Sequence, residues 1–291
     1  MKRIAFFTYG VLSYFIFFGT FLYFMGFVGN ILVPSSLDAP AQSPSSTAIL
    51  INLILVAIFG LQHSIMARQS FKEWFSRYIP IPIERSTFVL FASAALLLLL
   101  TQWQPLGGEI WTIAAGSSAY YGLYALHFFG WILVFASTFA INHFDLFGLR
   151  QVYLYLIKKP YMPVRFKTNI LYNTVRHPLY LGFVIALWAT PTMTISHLAF
   201  AVGLTAYILV GIRLEEKDLI KNFGETYKQY AQQVPKLIPI FYLSTRLSTS
   251  IGLSFSPTDN SKITRSKAIA KHPPGEVHLG LRAPFPRYLR P

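Results

Sequence analysis

Residues 179 to 212 contain no Asp, Glu, Lys or Arg and carry Pro191 near their middle. So apolar a stretch belongs in lipid, and a proline halfway along breaks any single helix through it. The run therefore predicts a membrane hairpin that enters at Pro178, turns around Thr190, Pro191 and Thr192, and returns at Arg213. Each arm has about 15 to 17 residues, or roughly 25 Å at about 1.5 Å per residue, a little less than a hydrocarbon core of about 30 Å. A hairpin leaves its two ends on one side of the bilayer. One end is the cationic and aromatic cluster Tyr172, Arg176, His177, Pro178 and Tyr180; the other is Arg213, Glu215, Glu216, Lys217 and Asp218.

The rest of the chain repeats this pattern of apolar runs and polar connections. Of 291 residues, 54% are hydrophobic and 12% charged, about half the charged share of a soluble domain. Residues 4–33, 48–67, 86–103 and 120–141 read as four further spans. The first is too long for a signal peptide and reads as an uncleaved span. Residues 68–85 place Phe71, Trp74, Phe75 and Tyr78 at helical spacing among Arg68, Lys72 and Arg77, which suits a helix lying in the interface. Lys and Arg concentrate in alternate connections, so the N-terminus, 68–85, 143–176 and everything after 213 fall on the cytoplasmic side. The simplest count is six crossings in a cytoplasmic (inner) membrane of bacterial type, with both termini inside. This placement also accounts for the net charge of +14 without nucleic acid. With no cysteine, disulfides and thiolate metal sites are excluded, and no metal site is expected. Residues 1–243 read as the membrane domain. Residues 244–291, rich in Ser, Pro, Lys and Arg, read as a basic cytoplasmic tail without a packed core.

Between Phe166 and Pro239 an ordered set of residues stands out: Arg176-His177-Pro178-Leu179-Tyr180-Leu181-Gly182, Glu215-Glu216-Lys217-Asp218-Leu219, Phe223-Gly224, Tyr227, Tyr230 and Val234-Pro235. It resembles the C-terminal core of the isoprenylcysteine carboxyl methyltransferase superfamily, integral-membrane enzymes that use S-adenosyl-L-methionine. Gln62 to Arg68, Glu84-Arg85-Ser86-Thr87, Trp103-Gln104-Pro105 and Asn142 to Gln151 resemble the branch that methylates methanethiol to dimethyl sulfide. The resemblance covers most of the first 240 residues. It implies an all-α integral membrane protein of five to six transmembrane helices, with the cofactor site on the C-terminal hairpin. It also implies that Phe166, Lys167, Tyr172 and His177 to Tyr180 line the cofactor site, and that Glu215 faces the substrate.

The chemistry of these residues agrees. Pro178 suits the first position of a helix and makes His177 its cap. Free backbone N–H groups and a partial positive charge then sit beside Arg176 and His177 and attract an anion such as the cofactor's carboxylate. Tyr172 and Tyr180 offer flat faces to the adenine or the sulfonium, and Glu215 or Glu216 suits the cofactor's ammonium or ribose hydroxyls. Transfer of a methyl group from a sulfonium to a thiolate needs a proton acceptor. His143, with Asp145 two residues on to orient it, is the first candidate; Glu215, with Arg213 as partner, is the second.

Each assignment has a plainer rival. Arg176 and His177 could be interfacial anchors, and Glu215 and Glu216 a solvated turn. His63 and His127, ionisable groups at membrane depth, are candidates for function or for a hydrogen bond to a neighbouring helix. Glu84 and Arg85 read as a surface ion pair, His197 as structural. Two other functions remain open to the sequence: methylation of a lipidic acceptor, such as a prenylcysteine carboxylate or a phospholipid amine, and a channel or transporter. The spans lack the broken helices in matching halves that ion-coupled transporters often show. Membrane lipid is an expected partner, and the oligomeric state stays open.

Overall fold

The computed structural model describes residues 1–162 and 169–239; Phe166, Lys167 and the 244–291 tail lie outside them. The protein is an all-α integral membrane protein. Among the described residues, five helices are long and apolar enough to cross a bilayer: α1 (Lys2–Gly29), α2 (Ser45–Ala67), α4 (Ile81–Gln102), α5 (Ser118–Ile141) and α10 (Ile195–Phe223). Shorter helices link them: α3 (Gln69–Phe75), α6 (His143–Leu146), α7 (Leu149–Leu156), α8 (Ile170–Thr174), α9 (Pro178–Trp188) and α11 (Glu225–Gln233). Exposed Phe15, Leu50, Leu53, Phe129, Ile132 and Val202 form part of an outward apolar surface suited to lipid.

The hairpin differs from two equal arms. Its first arm, α9, has 11 residues and its second, α10, has 29, about 16 and 44 Å of helix. Helix α9 stops at Trp188 because Pro191 disfavours helical geometry in the residue before it and supplies no N–H. The chain then continues through extended, mostly buried backbone, where Thr192–Thr194 (β2) pairs antiparallel with Glu109–Thr112 (β1). Non-helical backbone is tolerated at such depth only when protein satisfies its polar groups. Here Ile113 N donates to Pro191 O, Trp111 Nε1 to Thr190 O and Thr190 Oγ1 to Thr192 O. Helix α10 is about 14 Å longer than a hydrocarbon core of about 30 Å, which brings Arg213, Glu215 and Glu216 to the edge of the core and the last turns beyond it.

Aromatic side chains from α1, α5, α9 and α10 make the core. Trp131 meets Phe21 at 5.3 Å, Phe24 at 5.4 Å and Phe183 at 5.7 Å, each edge to face, and Phe200 meets Trp103 at 5.3 Å. Helices α5 and α9 approach through two glycines. A Cβ on Gly130 would lie 2.7 Å from Gly182 O, and one on Gly182 2.6 Å from Gly130 O.

At the end of the bundle holding the sheet, His197 and Asp38 form an enclosed pair, 0% and 4% exposed, at 2.8 Å. His197 Nε2 faces Leu187 O at 2.9 Å. Asp38 also receives Thr194 N, Thr194 Oγ1 and Asn30 Nδ2. Burial alone would raise this carboxyl, but the bonds and charge of His197, with Asn30 and Thr194, hold it below the ordinary carboxylate range. His127, 1% exposed, accepts from Trp131 Nε1 at 2.9 Å, so its Nδ1–H donates to Ala186 O at 2.8 Å. It pins α5 to α9.

Candidate active site

The structure brings Arg176, His177, Glu215 and Glu216 together where α9 begins and α10 runs past its apolar part. Backbone pairing sets this up: Arg176 N donates to Pro235 O and His177 N to Lys236 O, laying the strand before α9 against the chain after α11. The Arg176 guanidinium, 11% exposed, is held from three sides, by Glu216 Oε1 at 2.9 Å and by the carbonyls of Ala231 and Val234. Glu216 also receives His177 Nε2 at 3.2 Å and Lys236 Nζ at 3.0 Å. Arg176 and Glu216 thus spend their charges on each other and on the chain around them. They form a clamp that fixes the mouth of α9.

Glu215 is different. It is 47% exposed, its Oε2 lies 3.8 Å from His177 Nδ1, and its charge reaches the hydroxyls of Tyr172 and Tyr180. Burial first, and the Glu215 charge second, push the Tyr172 phenol well above its ordinary value, so it stays a hydrogen-bond donor. Tyr230 Oη donates to Tyr172 O at 2.5 Å and holds α8 against α11. Pro178 opens α9, and no side chain caps it. The first-turn N–H groups of Leu179 and Tyr180 therefore have no intrahelical acceptor.

Arg213 is exposed, and Glu215 faces His177 rather than Arg213.

His143 and Asp145 are not paired. Thr138 Oγ1 donates to Phe135 O at 2.7 Å, so it accepts from His143 Nδ1 at 2.8 Å; Nε2 then accepts from Tyr14 Oη at 2.8 Å. The ring is 3% exposed and stacks on Phe139 at 4.2 Å. Burial lowers its pKa. This neutral imidazole joins α1, α5 and α6 and has no lone pair to spare. Asp145 instead binds Arg150 Nη1 at 2.8 Å and Tyr161 Oη at 3.2 Å; Tyr161, buried and beside that carboxylate, is pushed up to about 12. Arg85 does not form a surface ion pair: its Nε donates to Leu146 O at 2.7 Å, and its guanidinium lies 5.0 Å from the Phe88 ring centre.

Sequence reasoning missed Lys236 and the carbonyls of Ala231 and Val234, because a carbonyl leaves no mark on residue type. It also missed Tyr207, whose hydroxyl bonds Ser64 Oγ at 3.0 Å and ties α10 to α2. The polar Gln62-His63-Ser64 inside an apolar span was the available signal.

No family model matches the chain, and no solved structure matches it. Among curated proteins it is 53% identical over 241 residues to a methanethiol S-methyltransferase of Crocosphaera subtropica, an alignment covering 82% of this chain and 93% of that one. It is 53% identical over 238 residues to methanethiol S-methyltransferase 1 of Bradyrhizobium diazoefficiens, covering 82% and 83%. To the methanethiol S-methyltransferase of Mycobacterium tuberculosis it is 49% identical over 241 residues, covering 82% and 98%. With half of its aligned residues shared over most of both chains, this protein belongs to the methanethiol S-methyltransferase family.

Proposed function

We propose that the protein methylates methanethiol to dimethyl sulfide, with S-adenosyl-L-methionine as methyl donor, at the mouth of α9 and α10. The observation that supports this most is the unequal use of the two glutamates. Glu216 is consumed by the Arg176 clamp, while Glu215 keeps a half-exposed carboxylate beside an open helix N-terminus. An amino acid moiety carrying one ammonium and one carboxylate suits that pair: Glu215 for the cation, and the Leu179 and Tyr180 N–H groups for the anion. The rings of Tyr172 and Tyr180 suit a sulfonium or a base. The bound donor supplies an electrophilic methyl group. The chain contributes position, the clamp that keeps α9 aimed at the site, and neighbouring apolar walls that keep water scarce.

This reading places α10's polar end, and with it both termini, on the cytoplasmic side of a bacterial inner membrane, where the charged donor is available. Methanethiol is small and apolar enough to arrive through lipid.

The test incubates membranes containing the protein with methanethiol and methyl-labelled S-adenosylmethionine and collects the volatile product. Labelled dimethyl sulfide is the expected outcome; label retained in lipid or peptide would replace this reading with a lipidic acceptor.

A further inference from the structure

We infer that His63, on α2, is the residue that takes the thiol proton, through a lone pair on Nδ1. This rests on the reading above, that a small thiol is the acceptor. Three imidazoles lie at this end of the bundle, and His177 is engaged by the two glutamates, with Nε2 at 3.2 Å from Glu216 and Nδ1 at 3.8 Å from Glu215. His143 uses both nitrogens, on Tyr14 and Thr138. The His63 Nδ1 is enclosed and has no hydrogen-bond partner among the described residues, and the neighbouring Gln62 Oε1 is in the same condition. Leaving a buried ring nitrogen unpaired costs about 1–3 kcal/mol, a cost that a hydrogen bond from an entering donor would relieve. A thiol S–H is such a donor.

The surroundings suit a small apolar sulfur compound. Phe59 and Phe88 flank the imidazole at 5.6 and 5.3 Å, and Met66, Phe88 and Val89 pack with Phe17 and Phe147 next to them. Arg85, fixed by Leu146 O, is close enough to His63 to act on it electrostatically. It places a positive charge where a thiolate would form. The next residue, Ser64, bonds Tyr207 on α10, whose hydroxyl lies near that of Tyr180 at the mouth of α9. His63 is thus one residue from the hydrogen bond that ties α2 to the donor-binding helices.

The step balances. The thiol proton passes to Nδ1 and the S–H electron pair stays on sulfur. That pair forms the new bond to the methyl carbon as the methyl's bond to the donor sulfonium breaks, its pair remaining on the donor sulfur. The imidazolium then releases its proton to water.

The test has two arms. In protein labelled with ¹⁵N-histidine in detergent, with no methyl donor present, methanethiol is expected to shift the His63 Nδ1 signal, identified by its loss in His63→Gln (or in His63→Asn should the first not fold). In the second arm that variant is expected to lose about 100-fold or more in turnover, the usual size of general-base catalysis, while binding S-adenosylmethionine within about threefold of wild type. An unshifted His63 signal, a shift at a different histidine, or a variant that keeps turnover within about threefold would overturn the assignment of His63. A wild-type protein that forms no dimethyl sulfide would instead overturn the reading of function on which it rests.

Discussion

Arg176 and Glu215 sit at one mouth and do different work. Replacing Glu216 by Gln leaves Arg176 and Lys236 without their shared carboxylate. Hydrogen bonds to charged groups contribute about 1.5–3 kcal/mol, so Glu216→Gln is expected to cost about 2 kcal/mol of stability, read as a lower thermal midpoint in detergent. Glu215→Gln is expected to leave that midpoint alone and weaken S-adenosylmethionine binding by about tenfold or more, measured by equilibrium dialysis. The sequence placed both acids at the hairpin mouth but could not divide their labour, because the partners that consume Glu216 are Arg176 and His177, from before α9, and Lys236, beyond the next helix. His143 shows the same limit: adjacency in sequence pointed to Asp145, whereas packing supplied Tyr14, 129 residues away. Its burial has a consequence for pH. The folded chain binds a proton there less readily than the unfolded one, whose histidine titrates near about 6.5. The unfolded state therefore gains the proton first, so this contribution to stability is complete above about pH 6.5 and lost as pH falls below it. Thermal midpoints at pH 7.5 and 5.5 are expected to fall more for wild type than for His143→Asn, which has nothing to titrate.

The pairing of α5 with α9 depends on Gly130 and Gly182, each facing the other's backbone. A Cβ on Gly182 would meet Gly130 O at 2.6 Å and Val134 N at 2.8 Å, atoms that cannot rotate away. Gly182→Ala is expected to push the helices apart and cost about 1–3 kcal/mol, the usual cost of overpacking. It should also tilt the mouth of α9 enough to weaken donor binding. Gly203→Ala on α10, where nothing lies within 4 Å, is the control and should leave the thermal midpoint unchanged or raise it slightly through the better helix propensity of alanine. The helices themselves were legible, since a charge-free run between polar connections leaves few alternatives in lipid. Their exact use was less so. Pro191 marked the break in the hairpin, but hydropathy could not show that α9 ends at Trp188 and that β2 completes the passage, because apolar composition is the same for helix and buried strand. Strand β1 lies in residues 109–112, between the apolar runs 86–103 and 120–141, where the hydropathy pattern marks no element.

Taken as one body, the described chain has two unlike ends. At one, the sheet, Asp38 and His197 join the connections after α1, α4 and α9. At the other, the first turns of α1 and α4 meet α6 and α7, and the start of α9 meets α10 and α11: Tyr9 bonds Thr87, Arg85 bonds Leu146, and Arg176 bonds Glu216. Among the described residues, Lys and Arg gather at the second end, in 68–85, 143–162 and 213–239. The proposed function puts this end in the cytoplasm and the sheet end outside, in keeping with the positive-inside rule. Because the protein has no cysteine, a single introduced cysteine reports its own side. Gln42→Cys and Ala115→Cys lie at exposed positions in connections of the sheet end; Ser70→Cys and Lys159→Cys lie at exposed positions of the other. A membrane-impermeant maleimide applied to spheroplasts is expected to label the first two at once and the second two only after lysis. If all four are labelled alike, α2, α4 and α5 do not separate the two ends across the bilayer, and the mouth that holds Glu215 loses its cytoplasmic address. If labelling is reversed, the fold stands but the charged donor has to be supplied from the other side, a requirement that no cytoplasmic methyl donor meets.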